Sequence, residues 1–135
     1  MENLNSFEVM CLVYGRTLLK GGCSISMWKN GSHIEHFMPN RGFVVGGLVP
    51  EESIKIDNEA AFKHTFLRMY RNAVTMTESG RDVVLGTWVE DGNKIVFDLC
   101  DITQEMKPAL ELASQRGERA IFDLDEEREI FVNHK

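Results

Sequence analysis

The sequence predicts an α+β domain in which a mainly antiparallel sheet is packed on about two helices. Three observations carry this reading. Asp82–Glu90 and Lys94–Asp101 are rich in Val, Ile, Phe and Trp and flank Asp91-Gly92-Asn93, a strong hairpin signal. Phe62, Phe66, Met69, Tyr70 and Ala73 recur at three and four residues and form one apolar helical face. The length of 135 residues suits one domain, which buries roughly two-thirds of its unfolded surface.

In chain order, Phe7–Tyr14 is an apolar run that is either a strand or the start of a buried helix reaching Leu19; periodicity does not decide between them. Gly21-Gly22 stops it. Cys23–Lys29 alternates as a strand, Asn30-Gly31 is a turn signal, and His33–Phe37 returns as its partner. Pro39-Asn40 opens another turn. Gly42–Val49 reads as a strand interrupted by Gly46-Gly47, which points to a bulge or to close approach of the backbone to a neighbour or a ligand. Ser53–Ile56 is the next strand. Asp57 or Asn58 caps the helix that follows, and Thr75–Gly80 reads as a polar loop. Beyond the hairpin, Pro108 sits in the first turn of a second helix, Met106, Ala109, Leu110 and Ala113 pack inward, and Gly117 ends it. Two short strands complete the chain, with Ile130 and Val132 of the last one available to the core.

The hairpin admits two registers. With a two-residue loop Trp88 faces Ile95; with a three-residue loop Glu90 pairs with Lys94, Trp88 with Val96 and Gly86 with Asp98. The second is preferred because it segregates the faces. Val83, Leu85, Thr87, Val89, Ile95, Phe97 and Leu99 then share one side, and Val84, Gly86, Trp88, Glu90, Lys94, Val96, Asp98 and Cys100 the other. By the same scheme Ala120, Phe122 and Leu124 face the core, while Arg119, Ile121 and Asp123 face away. The second face is then either a solvated surface with cross-strand charge pairs or a binding face that offers Trp88, Asp98, Asp123 and Arg119.

Composition excludes several classes. The net charge of −6 argues against general binding to nucleic acid or to an anionic membrane, and no apolar segment approaches bilayer-spanning length. Glu2, Asn3, Asn5 and Glu8 interrupt any leader-like run, and the three cysteines read as reduced thiols of a cytoplasmic protein. His33 and His36, three apart on a strand, point to opposite faces and complete no metal site. His64, Arg68 and Arg71 form a basic stripe, either a solvated helix edge or an anion site, since arginine forks bind phosphate bidentately. Arg116 suits the helix C-terminus. Asp98 and Asp123 are a candidate carboxylate pair, but no two catalytic roles fall at a recognisable spacing. The expectation is therefore a binding protein with no cofactor, no metal and no catalytic residue.

GFVVGGLVP at Gly42–Pro50, LGTWVEDGNKIVFDL at Leu85–Leu99, ALELASQRGERAIFDL at Ala109–Leu124 and the EIFV that follows a short acidic turn resemble a group of small proteins in phages, prophages and their hosts, most of which have no assigned function. In size, element order and an aromatic strand residue with arginines nearby, the chain is also similar to the first type of Thoeris anti-defence protein. Those proteins are cytoplasmic sponges that bind a cyclic ADP-ribose signal without cleaving it. The resemblance implies that Trp88 stacks on the base, that Asp98 meets a ribose or base edge, and that Arg68, Arg71, Arg116 and Arg119 hold the pyrophosphate. It implies a small anionic nucleotide as partner. A homo-oligomer is expected because sites shared between arginine-bearing edges suit small anionic ligands, with a dimer the default of closed symmetry. The other reading is an acidic inhibitor of a host defence protein.

Overall fold

The structure is a computed structural model and describes residues 6–30, 33–37 and 41–132, without the side chains of 27–40. Its first element is a helix, α1 (Ser6–Lys20), so the ambiguous apolar run resolves as helix. Val9, Met10, Val13 and Thr17 are buried at helical spacing. Thr17 Oγ1 donates to the Val13 carbonyl at 2.6 Å and shares a 2.5 Å hydrogen bond with Thr87 Oγ1, which satisfies both buried hydroxyls. Gly21 takes φ +84° and its N–H donates to the Thr17 carbonyl, closing the helix.

Two antiparallel strands follow, β1 (Gly22–Asn30) and β2 (His33–Phe37). His33 and His36 lie on β2, but their side chains, like the turns at Gly31 and Pro39-Asn40, lie outside the described residues. Next come β3 (Phe43–Val45) and β4 (Glu52–Lys55), then α2 (Glu59–Glu78). Asn58 is the cap: its side chain accepts the Ala61 N–H at 3.0 Å. The segment read as a loop from Thr75 is the last turn of α2, because the buried face continues from Ala73 to Thr77. The remaining elements are β5 (Val83–Glu90), β6 (Lys94–Thr103), α3 (Met106–Arg116), β7 (Ala120–Asp123) and β8 (Arg128–Phe131). Gly117 ends α3 at φ +71°.

The strands form one antiparallel sheet in the order β2-β1-β5-β6-β3-β7-β8, with β4 also paired to β6. The fold is thus α+β as expected, with α1 as a third helix among the described residues. The hairpin takes the three-residue loop, with Glu90 opposite Lys94, Trp88 opposite Val96 and Gly86 opposite Asp98. Asp91 and Gly92 supply the positive φ that the turn requires. One core lies between α1, α2 and the β1-β5-β6 half of the sheet, around Phe62, Phe66, Leu85, Phe97 and Leu99. A second lies under α3, with Val45, Ala109, Ala113 and Ile121 buried and Ile130 and Val132 packed against them.

Two face assignments differ from the sequence reading. In β7, Ile121 and Asp123 are buried while Phe122 is 38% exposed. The reason is the partner: β7 pairs with β3, Val44 opposite Phe122, and β3 turns Val45 toward α3. A one-residue change of register inverts every side chain. The second hairpin face is also not simply solvated, since Val84, Val96, Asp98 and Cys100 are buried on it while Trp88, Glu90 and Lys94 remain open.

The structure predicts that Phe97→Ala, which removes a fully buried ring 5.1 Å from that of Phe62, costs about 3–5 kcal/mol in urea denaturation. Ile121→Ala should cost about 2–4 kcal/mol and Phe122→Ser less than about 1 kcal/mol. The reverse order for the β7 pair would refute the register described.

Candidate functional site

Strand β6 is longer than either partner on its outer edge. Its Lys94–Phe97 segment pairs with β4 and its Asp101–Thr103 segment with β3. Between them the chain from Gly46 to Glu51 leaves the ladder, and Asp98, Leu99 and Cys100 have no strand partner on that edge. Asp98 is only 7% exposed, so its carboxyl depends on the departing loop for contacts.

The paired glycines make that loop possible. A Cβ on Gly46 would run into Asp98 Oδ2 and would lie 2.6 Å from Glu118 Oε1. The two carboxyl groups therefore converge on the space that the missing side chain leaves open. Gly47 has φ +81° and turns its N–H toward Asp98 Oδ1 at 3.5 Å, a long contact. This is the close approach that a Gly-Gly pair within a strand signals.

Arg116, at the end of α3, holds the start of the loop. Its Nη1 donates to the Gly46 carbonyl at 3.0 Å and reaches the Val45 carbonyl at 3.5 Å, while Nη2 pairs with Asp101. Arg81 binds the same carboxylate through Nε at 2.9 Å and Nη2 at 3.2 Å. Asp101 thus lies between two guanidinium groups, whereas Asp98, three residues earlier, has the long Gly47 amide contact and the Cys100 thiol. Burial raises the Asp98 carboxyl from 3.8 to about 6; the Gly47 and Cys100 hydrogen bonds act against the rise and the charges of Glu118 and Glu51 add to it. Burial, then the charge of Asp98, pushes the Cys100 thiol well above its ordinary value, and burial raises Cys23. Both thiols are protonated at neutral pH and are poor nucleophiles.

The loop, Asp98 and Glu118 enclose an open depression of about 380 Å³. Leu48, Val49 and Pro50 give it apolar lining, and Glu51, Asp98 and Glu118 polar lining beside Gly47. Trp88, 36% exposed, stands on the same sheet face as Asp98, as its diagonal neighbour across β5 and β6. In ordinary sheet geometry such positions are roughly 7–8 Å apart. Gly86 lies opposite Asp98, so no side chain rises there.

The residues expected at the site fall into three places. Trp88 and Asp98 share a face, and Asp98 and Arg116 meet at the loop. Arg68 and Arg71 are on exposed positions of α2, where Arg68 forms a two-pronged ion pair with Glu52 of β4. Arg119 is exposed before β7. The four arginines therefore do not meet around one point within a single chain. Asp123 does not face Asp98: its Oδ1 accepts the Asp125 and Glu126 N–H groups at 3.0 and 3.2 Å in the β7–β8 turn. The partner carboxyl of Asp98 is Glu118, which sequence reasoning missed, along with Glu51 and Asp101. Gly46-Gly47 was the one local signal, and it marks a close approach without naming what approaches.

Among the described residues no group of His, Cys, Asp and Glu is arranged to hold a metal ion, and no helix is long and apolar enough to cross a membrane. Fold and site together define a small α+β protein with a carboxyl-lined depression beside a half-open tryptophan. Compared with protein-family models, curated proteins and solved structures, the chain matches none.

Two outcomes follow from the carboxyl geometry. Asp98 binds its proton more tightly folded than unfolded, so it favours folding fully below about pH 4, and that contribution is lost as pH rises through about 6. Asp98→Asn should therefore raise stability by about 1–3 kcal/mol above pH 7 and have little effect near pH 4; equal effects at both ends, in denaturation series across pH, would contradict the assignment. Gly46→Ala should cost about 1–3 kcal/mol through overpacking. Gly86→Ala, whose Cβ meets nothing closer than 3.7 Å, should change stability by less than about 1 kcal/mol.

Proposed function

We propose that the protein is a non-catalytic binder that sequesters a small nucleotide-type ligand in the host cytoplasm, with the face of Trp88 and Asp98 as its recognition surface. The observation that supports this reading best is the pairing on one sheet face of a half-open indole with a buried carboxyl beside an open depression. An indole offers a stacking platform that every base fits. A carboxyl in a poorly solvated site accepts N–H or O–H groups from a base edge or a ribose, which gives selectivity. The raised thiols of Cys23 and Cys100 favour holding a ligand over attacking it.

The resemblance of the sequence suggests an immune signal of the cyclic ADP-ribose class and an anti-defence role for a phage protein. In that version Arg71 and Arg119, both exposed, are the phosphate contacts with no ion pair to break among the described residues. Arg116 serves as the residue that positions the loop, and Arg68 would first have to leave Glu52. Because the arginines lie apart in one chain, a closed homo-oligomer that brings α2 of one copy near the site of another belongs to the same reading.

The test is to purify the protein from cells with active signal synthases, heat-denature it and identify released small molecules by mass spectrometry. Titration with cyclic ADP-ribose then follows, read by tryptophan fluorescence in a Trp28→Phe background and by calorimetry for Trp88→Ala, which leaves that background without a tryptophan. Intact ligand is expected, with Trp88→Ala weakening affinity by about 1–3 kcal/mol. Cleaved products accumulating with time would show catalysis instead. An empty protein that also fails to load would overturn the reading and favour a protein target for its acidic surface.

A further inference from the structure

Helix α1 keeps an apolar stripe in solvent. Val9, Met10, Val13 and Thr17 turn into the core. The opposite side carries Phe7, Cys11, Gly15 and Leu18, which follow one another at helical spacing, with Leu19 beside them. Phe7 is 62% exposed, Leu18 47% and Leu19 81%. Three large apolar side chains on one helix face exceed the singly scattered exposure that any surface shows. Between the large residues the surface is low: Cys11 is exposed, and a Cβ on Gly15 would meet nothing within 4 Å. Gly15 is not among the residues with positive φ, so no turn asks for a glycine, and inside a helix it is less stable than alanine. What it offers is on the outside, where it lets another backbone come close.

The stripe is complementary to itself. Its order along the helix is large, small, small, large, which reads alike in both directions. Two copies of α1 packed antiparallel set Phe7 of one against Leu18 and Leu19 of the other, and Cys11 against Gly15. The charges follow the same rule. Glu8 borders the early half of the stripe and Arg16 the late half, both exposed, so antiparallel packing brings Glu8 of one copy beside Arg16 of the other, and parallel packing brings like charges together. Antiparallel helices also oppose their macrodipoles.

We infer that the α1 stripe is a contact between two copies of this chain, joined antiparallel across Cys11 and Gly15. The helix has 15 residues and is roughly 22 Å long, so two of them bury less than a permanent dimer does, and the dissociation constant is expected on the order of 10–100 µM. Thr17 of α1 meets Thr87 of β5, so Trp88, the next residue of that strand, points away from α1. The contact therefore joins the helical layers and leaves the Trp88–Asp98 face of each copy open. It is a different contact from one that carries α2 to a neighbour's site, and it does not rest on the proposed function.

The test is sedimentation velocity of the full chain from about 1 to about 300 µM, with a dimer expected at the upper end. Phe7→Glu and Leu19→Glu, at exposed positions, should leave the unfolding midpoint of dilute protein unchanged and weaken association at least about tenfold, since each puts a charge into an apolar contact. Gly15→Gln should weaken it as strongly while raising the midpoint of dilute protein, because glutamine is the better helix former and the space is open; a merely structural Gly15 would move the midpoint alone. Glu8→Arg should weaken association about threefold and Arg16→Glu in the same chain should restore it, whereas a parallel contact shows neither effect. A bis-maleimide should link the copies through Cys11, since Cys23 and Cys100 are buried.

A chain that stays monomeric at about 300 µM overturns the inference. A dimer that Phe7→Glu, Leu19→Glu and Gly15→Gln all leave intact also overturns it and puts the contact elsewhere. So does a monomer that binds phosphatidylcholine vesicles through Phe7 and Leu19, which gives the stripe to a lipid surface. The two proposals fail separately: a monomer that binds cyclic ADP-ribose overturns this inference alone, and an α1 dimer that binds no nucleotide overturns the proposed function alone.

Discussion

Strand β6 is paired along one edge by β5 and along the other by β4 and β3 in succession, and the site exists because those two do not meet. A strand edge inside a sheet must find partners for its backbone and must keep buried side chains satisfied. Where β3 ends at Val45 and β4 begins at Glu52, three residues of β6 have no strand partner on that edge, and one of them is an aspartate. The loop from Gly46 to Glu51 fills the gap with backbone and a few apolar side chains. It leaves space over Asp98 because its first residue has no side chain.

Asp98 and Asp101 show how little of a carboxyl's state is local. They lie three residues apart on one strand, so their side chains point to opposite faces. Asp101 is gripped by Arg81 from the end of α2 and by Arg116 from the end of α3. That ion-pair cluster ties both helices to β6, and through the Gly46 carbonyl it also ties them to the loop. Removing Asp101 would take the counter-ion from the partly buried Arg116 guanidinium. Asp98 receives carboxylate neighbours instead of cations, and the same strand thus carries a structural anion and a poised one.

Among the described residues, buried hydroxyls elsewhere in the core are paired, Thr77 Oγ1 excepted, and they support the rigidity of this arrangement. Thr17 of α1 and Thr87 of β5 close on each other at 2.5 Å, next to the Cys23 carbonyl. Ser26 reaches the Val83 carbonyl at 3.0 Å. The threonine pair pins α1 to the hairpin on the sheet's helical side, and Ser26, opposite Val84, ties β1 to β5 on the face that carries Trp88 and Asp98. A platform of this kind suits recognition by pre-organised groups, in which little ordering remains to be done on binding.

The hairpin, its three-residue loop, the α2 face and its Asn58 cap, and the α3 stop at Gly117 were all legible in the sequence. Each depends on residues within a few positions of one another, through hydrogen bonds or side-chain periodicity that act along the chain. The Gly46-Gly47 signal was legible too, as a place where backbone must come close to something. What approaches, the Asp98 and Glu118 carboxyls, was not, because those residues lie 52 and 72 positions beyond Gly46 and meet it only when β6 joins the sheet and α3 returns to it. The face of β7 was misread for the same reason: Phe122 looked like core beside the hairpin, yet β7 pairs with β3, and that partner sets which side Ile121 enters. The sequence alone determined most of the helices, strands and turns, since those choices are local; it left Phe7–Tyr14 open between strand and helix and ended α2 too early, at Thr75. Only the tertiary structure decided which carboxyl is neutralised and which lines an open depression, because charge and burial depend on neighbours that the fold brings from far along the chain.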